Sequence, residues 1–242
     1  MKLCILENDY LDPAIEPTYI GYGAMFERLL RDAGATGEFD IFNTVKGEYP
    51  DSFETYDAVL LTGSRADAFS QEPWVLVLRD KVEQLLQAGK KLVGVCFGHQ
   101  LIALCLGARV GRAPQGWGAG RMAYQWLAPD MSQAEGRTGV ALLASHQDQV
   151  FDLPEGARLL ATSEFCPVAA FAVEDRVFCV QPHPEFVEAY SAFLLDKRRA
   201  ALGEAQYLSC TDSLAKGHDG DAVARMMVAF IEGQPAVQTP AA

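Results

Sequence analysis

The sequence predicts an α/β fold: a mostly parallel sheet covered by helices on both faces, with extra β structure in the second half. Three observations carry this. In the first half, apolar runs of strand length alternate with amphipathic stretches of helix length. Those runs are apolar at consecutive positions rather than alternate ones, as in strands buried on both sides. After Arg109 short apolar runs follow one another, split by turn residues, with no helical stretch between them.

Lys2–Leu6 reads as the first strand. Tyr19–Asp32 reads as a helix with Ile20, Met25, Phe26, Leu29 and Leu30 at helical spacing. Phe39–Phe42 is the second strand. Tyr56–Leu61 is the third, ending in the turn Thr62-Gly63-Ser64. Pro73–Ala88 is a helix: Pro73 suits its first turn, Trp74, Val77, Leu78, Val82, Leu85 and Leu86 form an apolar face, and Gly89 closes it. Lys90–Val95 is again a buried strand. Short strands follow at Arg109-Val110, Ala123–Leu127, Val140–Ala144, Arg158–Ala161, Val168–Val173 and Val177–Val180. Two helices, Glu185–Ala201 and Asp219–Ile231, end the chain, with Gln234–Ala242 as a frayed tail.

The 242 residues contain no internal repeat and no linker-like segment, and the expectation is one domain over 1–242. The formal charge of -12 speaks against a phosphate-rich partner, so nucleic acid is not expected. No apolar run approaches the ~18 residues of a membrane helix, and acidic residues arrive by Glu7 and Asp9, too early for a secretion signal. A cytoplasmic protein is expected. The six cysteines, several inside apolar runs, then read as reduced thiols, and no pair has CxxC spacing.

The chemistry concentrates in Val93-Gly94-Val95-Cys96-Phe97-Gly98-His99-Gln100. An apolar strand enters a glycine-bracketed cysteine and leaves as an apolar helix, the pattern of a nucleophile elbow. Gly94 and Gly98 remove side chains where strand and helix crowd, and the helix N-terminus favours a thiolate at Cys96. Cys4, Cys105, Cys166 and Cys179 read instead as buried structural residues. A thiol nucleophile needs a base. Val177–Val180 leads into Gln181-Pro182-His183-Pro184-Glu185, which places His183 just past a strand with its backbone fixed by two prolines. Glu185, two residues on, can orient the ring. Alone, His-Pro-Glu would read as an ordinary turn.

Together, Gly94–Gln100 and His183-Pro184-Glu185 resemble the class I glutamine amidotransferase family, over a span from Val59 to about Phe186. The resemblance implies a flavodoxin-like three-layer α/β/α sandwich and a triad of Cys96, His183 and Glu185. It implies an oxyanion hole from the N–H groups of Phe97 and Ser64. Many members carry two glycines and a proline where this chain has Gly63-Ser64-Arg65. It further implies that Gly63 and Gln100 serve substrate binding. The segment Ser145-His146-Gln147-Asp148-Gln149-Val150 is similar to one that lines the glutamine pocket, near Ser145 and His146. His146 is then a structural or pocket residue and not the base, and His99 faces the sheet or a helix and is not catalytic.

No synthetase domain and no GxxxxGK[ST] loop accompany these motifs. The segments Thr62–Phe69, Pro73-Trp74 and Ser145–Val150 are similar to a stand-alone branch, related to GMP synthase glutaminase domains, that includes plant γ-glutamyl peptidases. The resemblance implies a small-molecule substrate, glutamine or a γ-glutamyl compound, cleaved without metal or organic cofactor. Two alternatives stay open: a glutaminase feeding ammonia to a separate synthetase partner, and a non-catalytic γ-glutamyl-binding module. Arg112, Trp117, Arg121 and Tyr124, around Gly116–Gly120, are candidates for the pocket rim, although surface-loop residues would look the same.

Overall fold

The computed structural model describes residues 1–127 and 139–233; the expected tail at 234–242 lies outside them. The chain runs β1 (Lys2–Glu7), a single turn α1 (Glu16–Tyr19), α2 (Tyr22–Asp32), β2 (Glu38–Asn43), β3 (Ala58–Leu61), α3 (Pro73–Gln87), β4 (Lys91–Val95) and α4 (Phe97–Cys105). The β-rich half follows: β5 (Val110–Arg112), β6 (Gly118–Trp126), β7 (Gly139–His146), β8 (Asp148–Val150), β9 (Arg158–Thr162), β10 (Ala170–Val173) and β11 (Val177–Val180). Helices α5 (Glu188–Leu202), α6 (Glu204–Leu214) and α7 (Gly220–Ile231) complete it.

Among the described residues one sheet has the order β2-β1-β3-β4-β11-β10-β9-β6-β7. Strands β2, β1, β3, β4 and β11 are parallel, and the remainder extend the sheet antiparallel. The extra β structure is that extension together with a small β5–β8 ladder. Successive side chains of the central strands part to opposite faces. Leu3, Ile5, Leu60, Val93 and Phe178 pack under α2 and α7, with Phe26, Leu30 and Met227 above them. Cys4, Leu6, Val59, Leu61, Leu92 and Cys179 pack under α3 and α4. The result is the expected three-layer α/β/α sandwich. Each fully buried Leu or Phe in these layers contributes about 1.5–3 kcal/mol relative to exposure.

Three expectations need correction. The helix expected from Tyr19 is interrupted: Ile20 takes φ 67° and points into solvent, and α2 starts after an extended Gly21. On α3, Val77 is exposed and Val75 takes the buried position. Among the described residues three helices follow Phe186 where two were expected, because Glu204–Leu214 is also helical. It packs against α5 and β6 and buries Cys210 and Leu214.

Candidate active site

The parallel strands end on a common edge, the usual location of sites in open α/β sheets. Four of those ends supply the site: Asn8 and Asp9 after β1, Gly63–Arg65 after β3, Cys96 after β4 and His183 after β11. Because β4 pairs directly with β11, Cys96 and His183 emerge side by side although they are far apart in sequence.

Cys96 occupies the N-cap of α4 with φ 52° and ψ −103°. Such backbone costs a non-glycine residue roughly 1–3 kcal/mol. The surroundings hold it: Cys96 N–H donates to Val180 O at 3.0 Å, and Gln100 N–H donates to Cys96 O at 3.0 Å. The flanking glycines are sterically required. A Cβ on Gly94 would lie 2.7 Å from the backbone of Gly98, and one on Gly98 would lie 2.4 Å from Leu61 O.

His183 N–H donates to Leu143 O at 2.8 Å, tying His183 to β7. Its ring stacks on Phe186 at 3.8 Å and 6°, and Phe186 in turn meets Tyr190 edge-on. Nδ1 lies 2.7 Å from Glu185 Oε1. Gly63 makes room for the pair: a Cβ there would sit 2.8 Å from His183 Cε1 and 3.6 Å from Cys96 Cβ. Burial alone would favour a neutral imidazole. The Glu185 carboxylate and the Cys96 sulfur outweigh it and push the His183 pKa up to about 10. The arrangement therefore favours an imidazolium beside the sulfur, ready to give a proton.

Among the described residues the N–H groups of Ser64 and Phe97 have no hydrogen-bond partner: Ser64 lines the same cavity as Cys96, and Phe97 begins α4, where first-turn donors have no intrahelical acceptor. The Ser64 loop is fixed by Asp9, a buried carboxylate that accepts from Arg65 N–H at 2.8 Å and from Arg65 Nε at 2.9 Å. Behind it, Asn8 bonds both Oγ1 and the carbonyl of Thr62 at 3.0 Å.

Two cavities meet here. One, of about 200 Å³, is lined by Cys96, Gln100, Ser145, His146, Asp148 and Arg112, among others. The other, of about 210 Å³, is lined by His183, Gly63, Phe186, Tyr22, Tyr190 and Asp9, among others. Ser64, Arg65, Ser145 and Arg198 line both. In the first, Gln100 is held inward, its Nε2 donating to Asp148 O at 2.9 Å and to Gln181 Oε1 at 3.1 Å. Arg112 pairs with Asp67 at 3.0 Å and Asp148 at 2.8 Å. Burial and the neighbouring Asp67 raise the Asp148 pKa to about 6.

The structure thus brings Cys96, His183, Glu185, Gly63, Ser64, Phe97, Gln100, Ser145 and His146 to one edge. His146 is buried, its pKa lowered to about 4 by burial, with Nδ1 3.2 Å from Asp148 O. His99 lies in the core against Phe171. Of the four rim candidates, Arg112 and Trp117 reach the cavity. Arg121 and Tyr124 do not: Arg121 Nε donates to Gly217 O at 2.6 Å, and Tyr124 is buried in the core beneath α7. Sequence reasoning missed Asp9, Gln181, Tyr22, Tyr190 and Arg198. A signal existed for Asp9, since a polar pair directly after a parallel strand marks the edge where sites form.

A profile of the class-I glutamine amidotransferase family matches residues 19–193. γ-Glutamyl peptidase 3 of Arabidopsis thaliana is 37% identical over 175 residues, covering 68% of this chain and 70% of that protein. γ-Glutamyl peptidase 4 of the same plant is 37% identical over 176 residues, covering 70% and 69%. A glutamine-hydrolysing GMP synthase of Caldicellulosiruptor saccharolyticus is 29% identical, covering 69% of this chain but 31% of the synthase. In fold, a glutamine amidotransferase from Thermotoga maritima superposes with TM-score 0.73 at 20% identity, covering 99% of both chains. The chain belongs to the class-I glutamine amidotransferase family.

Proposed function

We propose that this member of the class-I glutamine amidotransferase family, acting as one domain over 1–242, hydrolyses the γ-glutamyl amide of small γ-glutamyl peptides, conjugates or glutamine in the cytoplasm. The observation that carries this is the pairing across β4 and β11: a thiol on a strained elbow beside an imidazole whose far nitrogen is 2.7 Å from a buried carboxylate. The 37% identity to γ-glutamyl peptidases supports the choice of bond.

In this mechanism the Cys96 thiolate attacks the γ-carbonyl carbon and forms a C–S bond. The carbonyl oxygen becomes an oxyanion held by the N–H groups of Phe97 and Ser64; one such donor is worth roughly 3–4 kcal/mol. His183, oriented by Glu185, gives its proton to the leaving nitrogen. The C–N bond breaks, leaving a γ-glutamyl thioester and a free amine or ammonia. His183 then takes a proton from water as it attacks the thioester, releasing glutamate and the thiolate. Gln100, Ser145 and His146 line the glutamyl side, and Gly63, on the His183 side, borders the scissile bond. No step calls on a metal or organic cofactor.

Similarity to GMP synthases supports a second reading, in which a separate synthetase partner receives the ammonia. The deciding experiment measures glutamate released from glutamine and a panel of γ-glutamyl peptides by the wild type and Cys96→Ser. Release from the peptides, lost in Cys96→Ser, is the expected result. Weak release from glutamine alone would favour the partnered glutaminase. Binding without release would overturn the hydrolase and leave a γ-glutamyl-binding module.

A further inference from the structure

The cations around the two cavities are not equivalent. Arg65 is held by Asp9, Arg112 by Asp67 and Asp148, and Lys197 by Asp12 at 2.9 Å. Arg198, on α5, makes no ion pair or hydrogen bond with the described residues. Its guanidinium lies 4.9 Å from the centroid of the Trp117 ring, which braces it without neutralising it. Trp117 is anchored in turn, its carbonyl accepting from Gln206 Nε2 at 2.8 Å. Arg198 is half-buried and lines the wall common to both cavities. An unpaired charge in such a place is costly unless a ligand supplies its counter-ion.

The geometry points to Arg198 as the subsite for a carboxylate on the leaving group, and so to γ-glutamyl-α-amino acids as the preferred substrates. This rests on the γ-glutamyl hydrolase reading above. The imidazole that protonates the leaving nitrogen must face it, so the leaving group lies on the His183 side. The acyl chain lies on the side of Cys96 and Gln100. The scissile bond then sits at the common wall, beside Arg198. In an amino acid leaving group the carboxylate carbon is two bonds from the scissile nitrogen, within reach of that wall. The glutamyl α-carboxylate is four bonds beyond the scissile carbon and is carried down the Cys96-side cavity, away from it. Glutamine, which releases ammonia, offers Arg198 nothing.

The test compares kcat/KM for γ-glutamylglycine and γ-glutamyl methylamide, which lacks the leaving-group carboxylate, in the wild type, Arg198→Met and Arg198→Lys. A charge-assisted hydrogen bond to the carboxylate corresponds to a preference of roughly 10- to 100-fold for the glycine compound. The wild type is expected to show that preference, Arg198→Met to bring the ratio near one, and Arg198→Lys to restore part of it. A ratio near one in the wild type, or one unchanged in Arg198→Met, overturns the assignment while leaving the hydrolase intact. The wild-type comparison needs no folded variant, and the ratio within one variant cancels any loss of active protein. No turnover of either compound or of glutamine by the wild type would refute the hydrolase reading and the subsite with it.

Discussion

Glu185→Gln isolates the charge that sets the protonation of His183. The substitution keeps an oxygen where Oε1 lies 2.7 Å from Nδ1, so the hydrogen bond survives while the negative charge goes. With charge centres about 4 Å apart and an effective dielectric of ~20, the lost attraction for the imidazolium is about 4 kcal/mol. The retained neutral hydrogen bond keeps about 1 kcal/mol of it. About 3 kcal/mol is then lost, which lowers the His183 pKa by roughly two pH units. The alkaline limb of kcat/KM, expected near 10 in the wild type, should move to near 8. Loss of activity is thus less than about twofold at pH 7 and about 25-fold at pH 9.5. Stability follows the same linkage. A raised imidazole pKa stabilises the fold fully below the unfolded value of ~6.5 and ceases to as pH rises through about 10. The Tm difference between wild type and variant should be about 6–12 °C near pH 6 and close above pH 10. The assays are a pH–rate profile on one γ-glutamyl substrate and thermal melts at matched pH. An equal activity loss at pH 7 and pH 9.5 would refute the argument, because Glu185 would then be fixing the ring's tautomer rather than its charge.

Gly98→Ala should destabilise the fold by about 1–3 kcal/mol in denaturant titration, since its Cβ would meet the backbone oxygen of Leu61 at 2.4 Å. Cys96→Gly and Cys96→Ala should both be inactive, with the glycine variant more stable by about 1 kcal/mol because it alone relaxes at φ 52°. Asp9→Ala should lower kcat by roughly 10- to 100-fold with a smaller change in KM. It frees the loop that aims the Ser64 N–H, and an unchanged kcat would remove Asp9 from any positioning role.

The central layers were legible because their signals are local. Runs such as Val59–Leu61 and Leu92–Val95 are apolar throughout and became buried strands, and the glycines at 94 and 98 announced a tight strand-to-helix turn before any contact was visible. Helix α6 was not legible. Its sequence, EAQYLSCTDSL, carries no continuous apolar stripe and leaves Leu208 exposed, so its helicity depends on packing against α5 and β6. The break at Ile20 was equally hidden, since a residue well suited to an apolar face turned outward to let the chain bend. At the site, residues adjacent in sequence to a strand end could be read directly. Arg198, Tyr22 and Tyr190 arrive on helices from distant parts of the chain, and nothing in their own neighbourhood says that α2 and α5 converge there.

The adjacency of β4 and β11 also sets an order of events during synthesis. The thiol leaves the ribosome with its strand and helix long before the segment carrying His183 exists. At roughly 5–20 residues per second the interval is several seconds. Parallel pairing of strands so distant in sequence is slow to nucleate, which lengthens the wait. Throughout it, the nascent chain carries Cys96 without the imidazole that the proposed mechanism pairs with it. On the proposed mechanism, activity is therefore switched on by completion of the sheet, and a chain interrupted before β11 should show no amide hydrolysis.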